Sequence, residues 1–184
     1  MPATDRLLDL LTKHSFQRKK FVLTSGRESD FFIDCKQTVL LAEGHALVGE
    51  RMLAALGTFA EQPIAVAGVE LGGCPLASAV ALTSHLHDRA LDAVYVRKDA
   101  KEHGSKRLLE GDSHLPDGAP IVVLEDVVTT GGSTLKAIEK LRARGLRVVG
   151  VVALVDRLEG AREAITAAGV PLIALFTRLD FIPE

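Results

Sequence analysis

Residues 121–135 read IVVLEDVVTTGGSTL, and this stretch decides the fold. It opens with the apolar, mostly β-branched run IVVL, which is typical of a strand buried on both faces of a parallel sheet. The acidic pair Glu125 and Asp126 follows at once, and after it come two threonines and two glycines. Ser133 occupies a helix N-cap position, because apolar residues recur at helical spacing beyond it. The predicted order is therefore strand, acidic pair, glycine-hydroxyl loop and helix.

A loop in this place predicts a phosphate site beside a sugar site. Open parallel sheets bind ligands at the carboxyl ends of their strands. Glycines let the backbone come close to a ligand, and the free N–H groups at a helix start, together with hydroxyls, cradle a phosphate. The two carboxylates repel phosphate and suit vicinal sugar hydroxyls or a metal instead. A ribose 5-phosphate meets both requirements, whereas an ordinary βα turn with surface acids remains the alternative.

The same stretch resembles the phosphoribosyl diphosphate (PRPP) signature of the type I phosphoribosyltransferases. That signature consists of an apolar strand, two acids, an apolar pair, a threonine and a turn of small residues, and it matches here without a gap. The resemblance implies that the segment binds PRPP, but it does not choose the nucleobase. The implied PRPP-binding residues are Glu125, Asp126, Val127, Val128, Thr129, Thr130, Gly131, Gly132 and Ser133.

Length and composition bound the class of protein. A chain of 184 residues with 47% hydrophobic and 25% charged residues fits one domain with a good core. The net charge of −2 argues against a broad nucleic-acid surface. Two cysteines make no disulfide framework and no metal-site spacing. No signal peptide, membrane-spanning run or lipidation motif is evident, so we expect a cytoplasmic protein.

The rest of the chain predicts a single α/β domain over residues 1–184. Alternating strands and helices indicate a doubly wound, mainly parallel five-stranded sheet flanked by helices. The segment of about residues 1–40 lacks this alternation and is expected to form a small N-terminal hood, with Thr4 capping its first helix. The predicted core runs over about residues 43–176, with a short tail after it. Its five strands are predicted at 64–68, 91–96, 121–124, 147–155 and 171–176.

A cationic loop is predicted over residues 97–111, which are polar, glycine-punctuated and without periodicity. Arg97, Lys98, Lys101 and His103 suit a diphosphate leaving group, and Lys101 or His103 could donate a proton to it. The alternative is a solvated charged loop. The block is similar to the catalytic loop of the orotate phosphoribosyltransferases. This resemblance implies PRPP binding by these four residues, and a homodimer in which the loop completes the neighbouring active site.

Two adjacent aromatic residues, Phe31 and Phe32, stand out in a chain with 4% aromatic residues. They suit base stacking, although an alternation across a strand with one ring in the core is the plainer interpretation. The surrounding segment resembles the hood of the orotate phosphoribosyltransferases, which implies that the pair covers the pyrimidine. Some members have a lysine where this chain has Thr24; Lys19, Lys20 and Lys36 are the candidates to replace it, and absence of the contact is the alternative.

A second small-residue turn, VELGGCP at residues 69–75, follows the first predicted core strand. Backbone N–H groups in such a turn suit a diphosphate, whereas a tight βα turn is the alternative. The family has a diphosphate loop here, and some members place a lysine where this chain has Gly72. The resemblance therefore implies a PRPP contact by the Gly72 backbone alone.

Arg157 follows the fourth predicted strand and so faces the ligand crevice. Its planar fork matches a carboxylate through two parallel hydrogen bonds, and orotate has a carboxylate whereas adenine, hypoxanthine and uracil do not. The alternative is a surface ion pair with Asp156 or Glu159. In the orotate phosphoribosyltransferases an arginine in this position binds orotate.

With all four motifs, the chain is identified as a member of the orotate phosphoribosyltransferases. The resemblance implies transfer of ribose 5-phosphate from PRPP to orotate, with Mg²⁺ held mainly by PRPP and not directly by the protein. A phosphoribosyltransferase for another base and a non-catalytic PRPP sensor are the alternatives. The expected catalytic residues are Lys101, His103, Glu125 and Asp126, and the expected orotate-binding residues are Thr129, Arg157, Phe31 and Phe32.

Overall fold

The computed structural model describes residues 5–22, 28–99 and 107–182. Within these ranges no helix has the length and apolar character needed to cross a membrane. The helices are α1 (Arg6–His14), α2 (Lys36–Val39), α3 (Ala42–Leu56), α4 (Gly73–Leu86), α5 (Gly132–Ala143), α6 (Ala161–Ala167) and α7 (Arg178–Phe181). The strands are β1 (Phe16–Val22), β2 (Glu28–Ile33), β3 (Ala65–Val69), β4 (Asp92–Val96), β5 (Leu109–Glu110), β6 (Pro120–Val128), β7 (Arg147–Asp156) and β8 (Leu172–Thr177).

The central sheet has the strand order β5-β4-β3-β6-β7-β8. Its five long strands are parallel, and β5 pairs antiparallel with β4. The doubly wound, mainly parallel sheet is therefore confirmed, but over the described residues it has six strands where five were predicted. The sixth strand, β5, lies at the end of the predicted loop 97–111. It has only two residues, which is too short for any periodicity to reveal.

Two apolar clusters cover the two faces of this sheet, and β6 contributes to both. Val122 and Leu124 pack with residues of α3 and α4, whereas Ile121 and Val123 pack with residues of α5 and α6. This alternation follows from the two-residue period of a strand. Because both faces are covered by helices, the ligand-accessible part of the sheet is its carboxyl edge.

Strand β6 is longer than predicted, and this places the acidic pair inside the strand. Pairing with β7 continues through Glu125, opposite Ala153, and on to Val128, opposite Asp156. The prediction ended the strand at residue 124, where the continuous apolar run stops. The strand continues because its backbone still pairs with β7 as far as Val128.

The N-terminal segment forms α1, the antiparallel β1–β2 hairpin and α2. Asp5 caps α1, accepting hydrogen bonds from the backbone N–H groups of Leu7 and Leu8. The predicted cap, Thr4, lies outside the described residues. The C-terminal helix α7 closes against the hairpin, where the Phe181 ring lies 5.7 Å from the Phe31 ring, centroid to centroid. The hairpin and the tail therefore meet beside the carboxyl edge of the sheet.

Candidate active site

The loop after β6 leaves the start of α5 open to solvent. Gly131 is the N-cap residue, with φ of 84°, and no side chain in the described part of the chain caps the helix. The prediction that Ser133 is the N-cap was therefore wrong: the left-handed backbone needed one glycine, and the helix starts directly after it. Thr130, Gly132 and Ser133 are exposed, and Thr129 is partly buried. The first-turn N–H groups of a helix have no intrahelical partner, so this end can receive an anion.

Glu125 is buried beneath this loop, with 4% of its surface exposed. Its Oε1 accepts hydrogen bonds from the hydroxyls of Ser133 (3.1 Å) and Thr134 (2.9 Å). Burial raises the pKa of the Glu125 carboxyl from its ordinary value of 4.5 to about 7, while those hydroxyls and the charge of Lys98 oppose the rise. Thr134 was missed by the sequence reasoning, because a hydroxyl in the first turn of a helix carries no distinctive pattern.

Asp126 points to the opposite face of β6, as strand alternation requires. Its Oδ1 accepts the backbone N–H of Val127 at 2.9 Å, and burial raises the pKa of its carboxyl. A side chain at Gly72 would overlap the Asp126 carboxylate oxygens, so the glycine leaves the room that this carboxylate occupies. The positive charge of Lys36, which is paired with Asp34 at 2.6 Å, opposes the rise in the Asp126 pKa.

Arg97 and Lys98 lie at the end of β4, where the cationic loop begins. Lys101 and His103 lie outside the described residues. Arg97 is 3.7 Å from Glu110 of β5, measured from Nη1 to Oε1. A cleft of about 330 Å³ opens beside them, and Arg97, Lys98 and Ser133 are among its lining residues. The cleft therefore joins the loop cations to the start of α5.

Two contacts at this place involve residues that the sequence reasoning missed. Glu70 accepts the backbone N–H of Lys98, and the Lys140 ammonium donates to the carbonyls of Arg97 and Lys98. Glu70 lies in the predicted diphosphate turn but was given no role of its own, and Lys140 belongs to no recognisable motif. Lys140 in particular is one of several basic residues on an amphipathic helix, so only the folded geometry distinguishes it.

Arg157 lies at the end of β7 with 11% of its side chain exposed. Its Nη2 is 2.7 Å from Glu159 Oε1, and its guanidinium carbon lies 5.8 Å from the centroid of the Phe31 ring. Its backbone N–H donates to Val128 at 3.0 Å, which fixes it next to β6. The guanidinium is thus held between the hairpin and the carboxyl edge of the sheet.

The two aromatic residues of the hairpin differ in exposure. Phe31 is fully buried and packs against Phe16 and Phe181, whereas Phe32 is 42% exposed. In this conformation Phe31 presents no free face to a ligand, and its ring supports the Arg157 guanidinium. Phe32 is the ring of the pair that solvent reaches.

The predicted residues that are described lie along one edge of the sheet. The acidic pair lies near the carboxyl end of β6 and the phosphate loop follows that strand, while Arg97 and Lys98 follow β4, Gly72 follows β3, and Arg157 follows β7. The Glu70–Leu71 peptide bond before Gly72 is cis. Across the described ranges, no group of three or more His, Cys, Asp or Glu side chains is arranged to hold a metal ion.

Comparison with known proteins places this geometry in a family. Residues 41–168 match the family described as phosphoribosyl transferase domain. An orotate phosphoribosyltransferase of Sorangium cellulosum (strain So ce56) is 66% identical over 180 residues, which cover 98% of this chain and 93% of that protein.

Solved structures agree with the sequence comparison. Orotate phosphoribosyltransferase of Mycobacterium tuberculosis H37Rv, in complex with Fe(III) dicitrate, has a TM-score of 0.81 at 36% identity and covers 96% of this chain and 97% of that one. A crystal structure of the same enzyme in complex with PRPP has a TM-score of 0.78 at 34% identity and covers 95% and 96% of the two chains.

Proposed function

The chain belongs to the orotate phosphoribosyltransferase family, and we infer that it transfers ribose 5-phosphate from PRPP to orotate, giving orotidine 5′-phosphate and diphosphate. It is a pentosyltransferase of pyrimidine nucleotide synthesis. One observation carries the assignment of the base. The Arg157 guanidinium is held against the hairpin and follows directly after β7, which pairs with β6, the strand that carries the acidic pair and leads to the open start of α5.

The 5′-phosphate binds at the start of α5. Thr129, Thr130, Gly131, Gly132 and Ser133 surround the open first turn, whose N–H groups and positive dipole end attract an anion. Asp126 binds the ribose hydroxyls from one face of β6. Glu125 approaches the ribose hydroxyls from the other face of β6, where it also accepts hydrogen bonds from Ser133 and Thr134 and so holds them in place. Val127 and Val128 contribute backbone between the acids and the loop.

The base lies towards Arg157. Its two-pronged guanidinium matches the orotate carboxylate, and Thr129 and the exposed Phe32 complete the pocket. Phe31 acts through Arg157 by lying beneath its guanidinium. A nucleobase without a carboxylate would forgo the two parallel hydrogen bonds that the Arg157 guanidinium can donate, which disfavours adenine and uracil.

The transfer breaks the bond between the ribose C1 and the diphosphate oxygen and forms a bond from C1 to a ring nitrogen of orotate. Positive charge grows on the ribose, next to the carboxylates, and negative charge grows on the diphosphate. Arg97, Lys98, Lys101 and His103, with the backbone at Gly72, neutralise the diphosphate, and Lys101 or His103 supplies a proton to it. No side-chain nucleophile is required, because the orotate ring nitrogen is itself the nucleophile.

The residues present fit Mg²⁺ carried by PRPP. This cation usually keeps several waters and binds through one or two carboxylates plus substrate phosphates, and Asp126 offers one partly accessible carboxylate at the crevice. Bound there with PRPP, the cation would offset charge on the diphosphate. We expect no dedicated protein cage for it.

A homodimer and a cytoplasmic location are part of this proposal. The family resemblance of the loop 97–111 supports a site shared between subunits. Mixing a Lys101→Ala variant with a Glu125→Gln/Asp126→Asn double variant should then restore activity. One of the two sites in each mixed dimer would have an intact loop from one subunit and an intact acidic pair from the other. Absence of rescue after demonstrated subunit exchange would show that each subunit contains its whole site.

The base assignment is tested by incubating the purified chain with PRPP, Mg²⁺ and, in turn, orotate, uracil, adenine and hypoxanthine. Release of diphosphate with orotate alone is the expected result. Release with a purine instead would assign the chain to another base. PRPP binding without diphosphate release from any base would favour a PRPP sensor.

A further inference from the structure

Two charged side chains hold the backbone of Arg97 and Lys98 from opposite directions. The Lys140 ammonium donates to the carbonyl oxygens of both residues, at 2.7 Å each. The Glu70 carboxylate accepts the backbone N–H of Lys98 at 2.8 Å. Hydrogen bonds that involve an ionised partner are about twice as strong as neutral ones, so this short segment is held more firmly than an ordinary loop start.

The two side chains come from the other parts of the proposed site. Lys140 lies on α5, about two turns beyond the open first turn where we place the 5′-phosphate. Glu70 lies at the end of β3, just before the Gly72 turn, and its own backbone N–H donates to Val96 at 2.9 Å. The phosphate helix, the diphosphate turn and the first two loop cations are therefore joined through two side chains.

The position of Lys140 is not that of an ordinary surface lysine. Arg97, Lys98, Lys136 and Lys140 all line the same cleft, so bringing the Lys140 ammonium there costs repulsion from like charges. A freely solvated lysine would avoid that cost and keep its side-chain entropy. Contact with two carbonyl oxygens offsets both, and these carbonyls belong to the two residues whose side chains we assign to diphosphate.

We propose that Lys140 and Glu70 are positioning residues for phosphoribosyl transfer, which fix the backbone of Arg97 and Lys98 so that these cations meet the diphosphate bound next to α5. This inference rests on the proposed function. It differs from a purely structural role in one respect: loss of either residue impairs the use of PRPP while orotate binding stays intact. The reason is that Arg157 follows β7 and the hairpin consists of β1 and β2, whereas the two positioning residues belong to the end of β3 and to α5.

The test compares Lys140→Met, which keeps the length of the side chain and removes its donors, with Lys140→Arg, which keeps them. Steady-state kinetics with PRPP and orotate varied in turn should show kcat/KM for PRPP lower by about 10-fold to 100-fold in Lys140→Met, the scale of a displaced reacting group. The KM for orotate and the thermal midpoint should change little, and Lys140→Arg should recover most of the loss. Glu70→Ala should reproduce the same selective loss, and Glu70→Gln should show less of it.

Lys136→Met is the matched control, because it removes an equal charge from the same cleft and helix without touching these carbonyls. A loss in Lys136→Met equal to that in Lys140→Met would overturn the proposal in favour of a general charge effect. Equal changes in the KM values of PRPP and orotate would also overturn it.

A double-mutant cycle with Lys98→Ala adds a readout that a structural role would not move. If Lys140 acts through Lys98, then the factor by which Lys140→Met lowers kcat/KM for PRPP should be at least about threefold smaller in the Lys98→Ala background than in the wild type. Strict additivity would contradict the proposal. Failure of the proposed function is distinguishable, because the wild-type chain itself would then consume no orotate.

Discussion

Replacement of Glu125 by glutamine should make the protein more stable at alkaline pH while impairing its activity. Burial raises the pKa of Glu125 in the folded chain to about 7, above its ordinary 4.5. Its contribution to stability is therefore fully present below pH 4.5 and is lost as pH rises through 7. Relative to acid pH, the raised pKa lowers the free energy of unfolding by roughly 1 kcal/mol at pH 5 and by about 3 kcal/mol at pH 8.5. Glutamine stays neutral and can still accept from Ser133 and Thr134.

The measurement is the free energy of unfolding by urea at a series of pH values, at fixed protein concentration, for the wild type and Glu125→Gln. The stability of the variant minus that of the wild type should rise by about 2–3 kcal/mol between pH 5 and pH 8.5. Glu139→Gln, which removes a charge from an exposed position on α5, is the control and should show a much smaller change. Parallel curves for wild type and Glu125→Gln would refute the inference that burial holds this carboxyl partly protonated near neutral pH.

Three further substitutions test other parts of the site and fold. Arg157→Ala should raise the KM for orotate by about 10-fold to 100-fold, the worth of hydrogen bonds between charged groups, with a much smaller effect on the KM for PRPP; equal effects would remove it from the base pocket. Gly72→Ala should lower kcat/KM for PRPP by roughly 10-fold or more, because the added methyl group displaces the Asp126 carboxylate; unchanged kinetics in a folded variant would contradict this. Asp5→Ala should cost about 0.5–2 kcal/mol of unfolding free energy through the lost α1 cap, and a changed kcat would contradict its purely structural role.

The sequence predicted the sheet and the order of its motifs because these depend on local patterns. Apolar runs separated by glycine-rich turns and amphipathic helices are visible at short range, and they determine a parallel sheet. The extent of β6 could not be predicted in the same way. Glu125 and Asp126 look like the end of a strand, and only pairing with β7 keeps them within it. Their separation onto opposite faces follows from that single fact.

The supporting contacts of the site were beyond the reach of sequence patterns. Thr134 reaches Glu125 across nine residues, and Lys140 reaches Arg97 across 43, so each contact exists only after the chain has folded. The hairpin shows the same limit. Phe31 and Phe32 are equivalent in sequence, but the tail helix α7 encloses Phe31 and leaves Phe32 exposed.

The central claim is that this chain joins orotate to the ribose of PRPP. The most direct test follows orotate absorbance over time with the purified chain, PRPP and Mg²⁺, and repeats it with PRPP or Mg²⁺ left out. The account predicts a loss of the orotate signal that requires both additions. An unchanged signal from folded protein that still binds PRPP would contradict it.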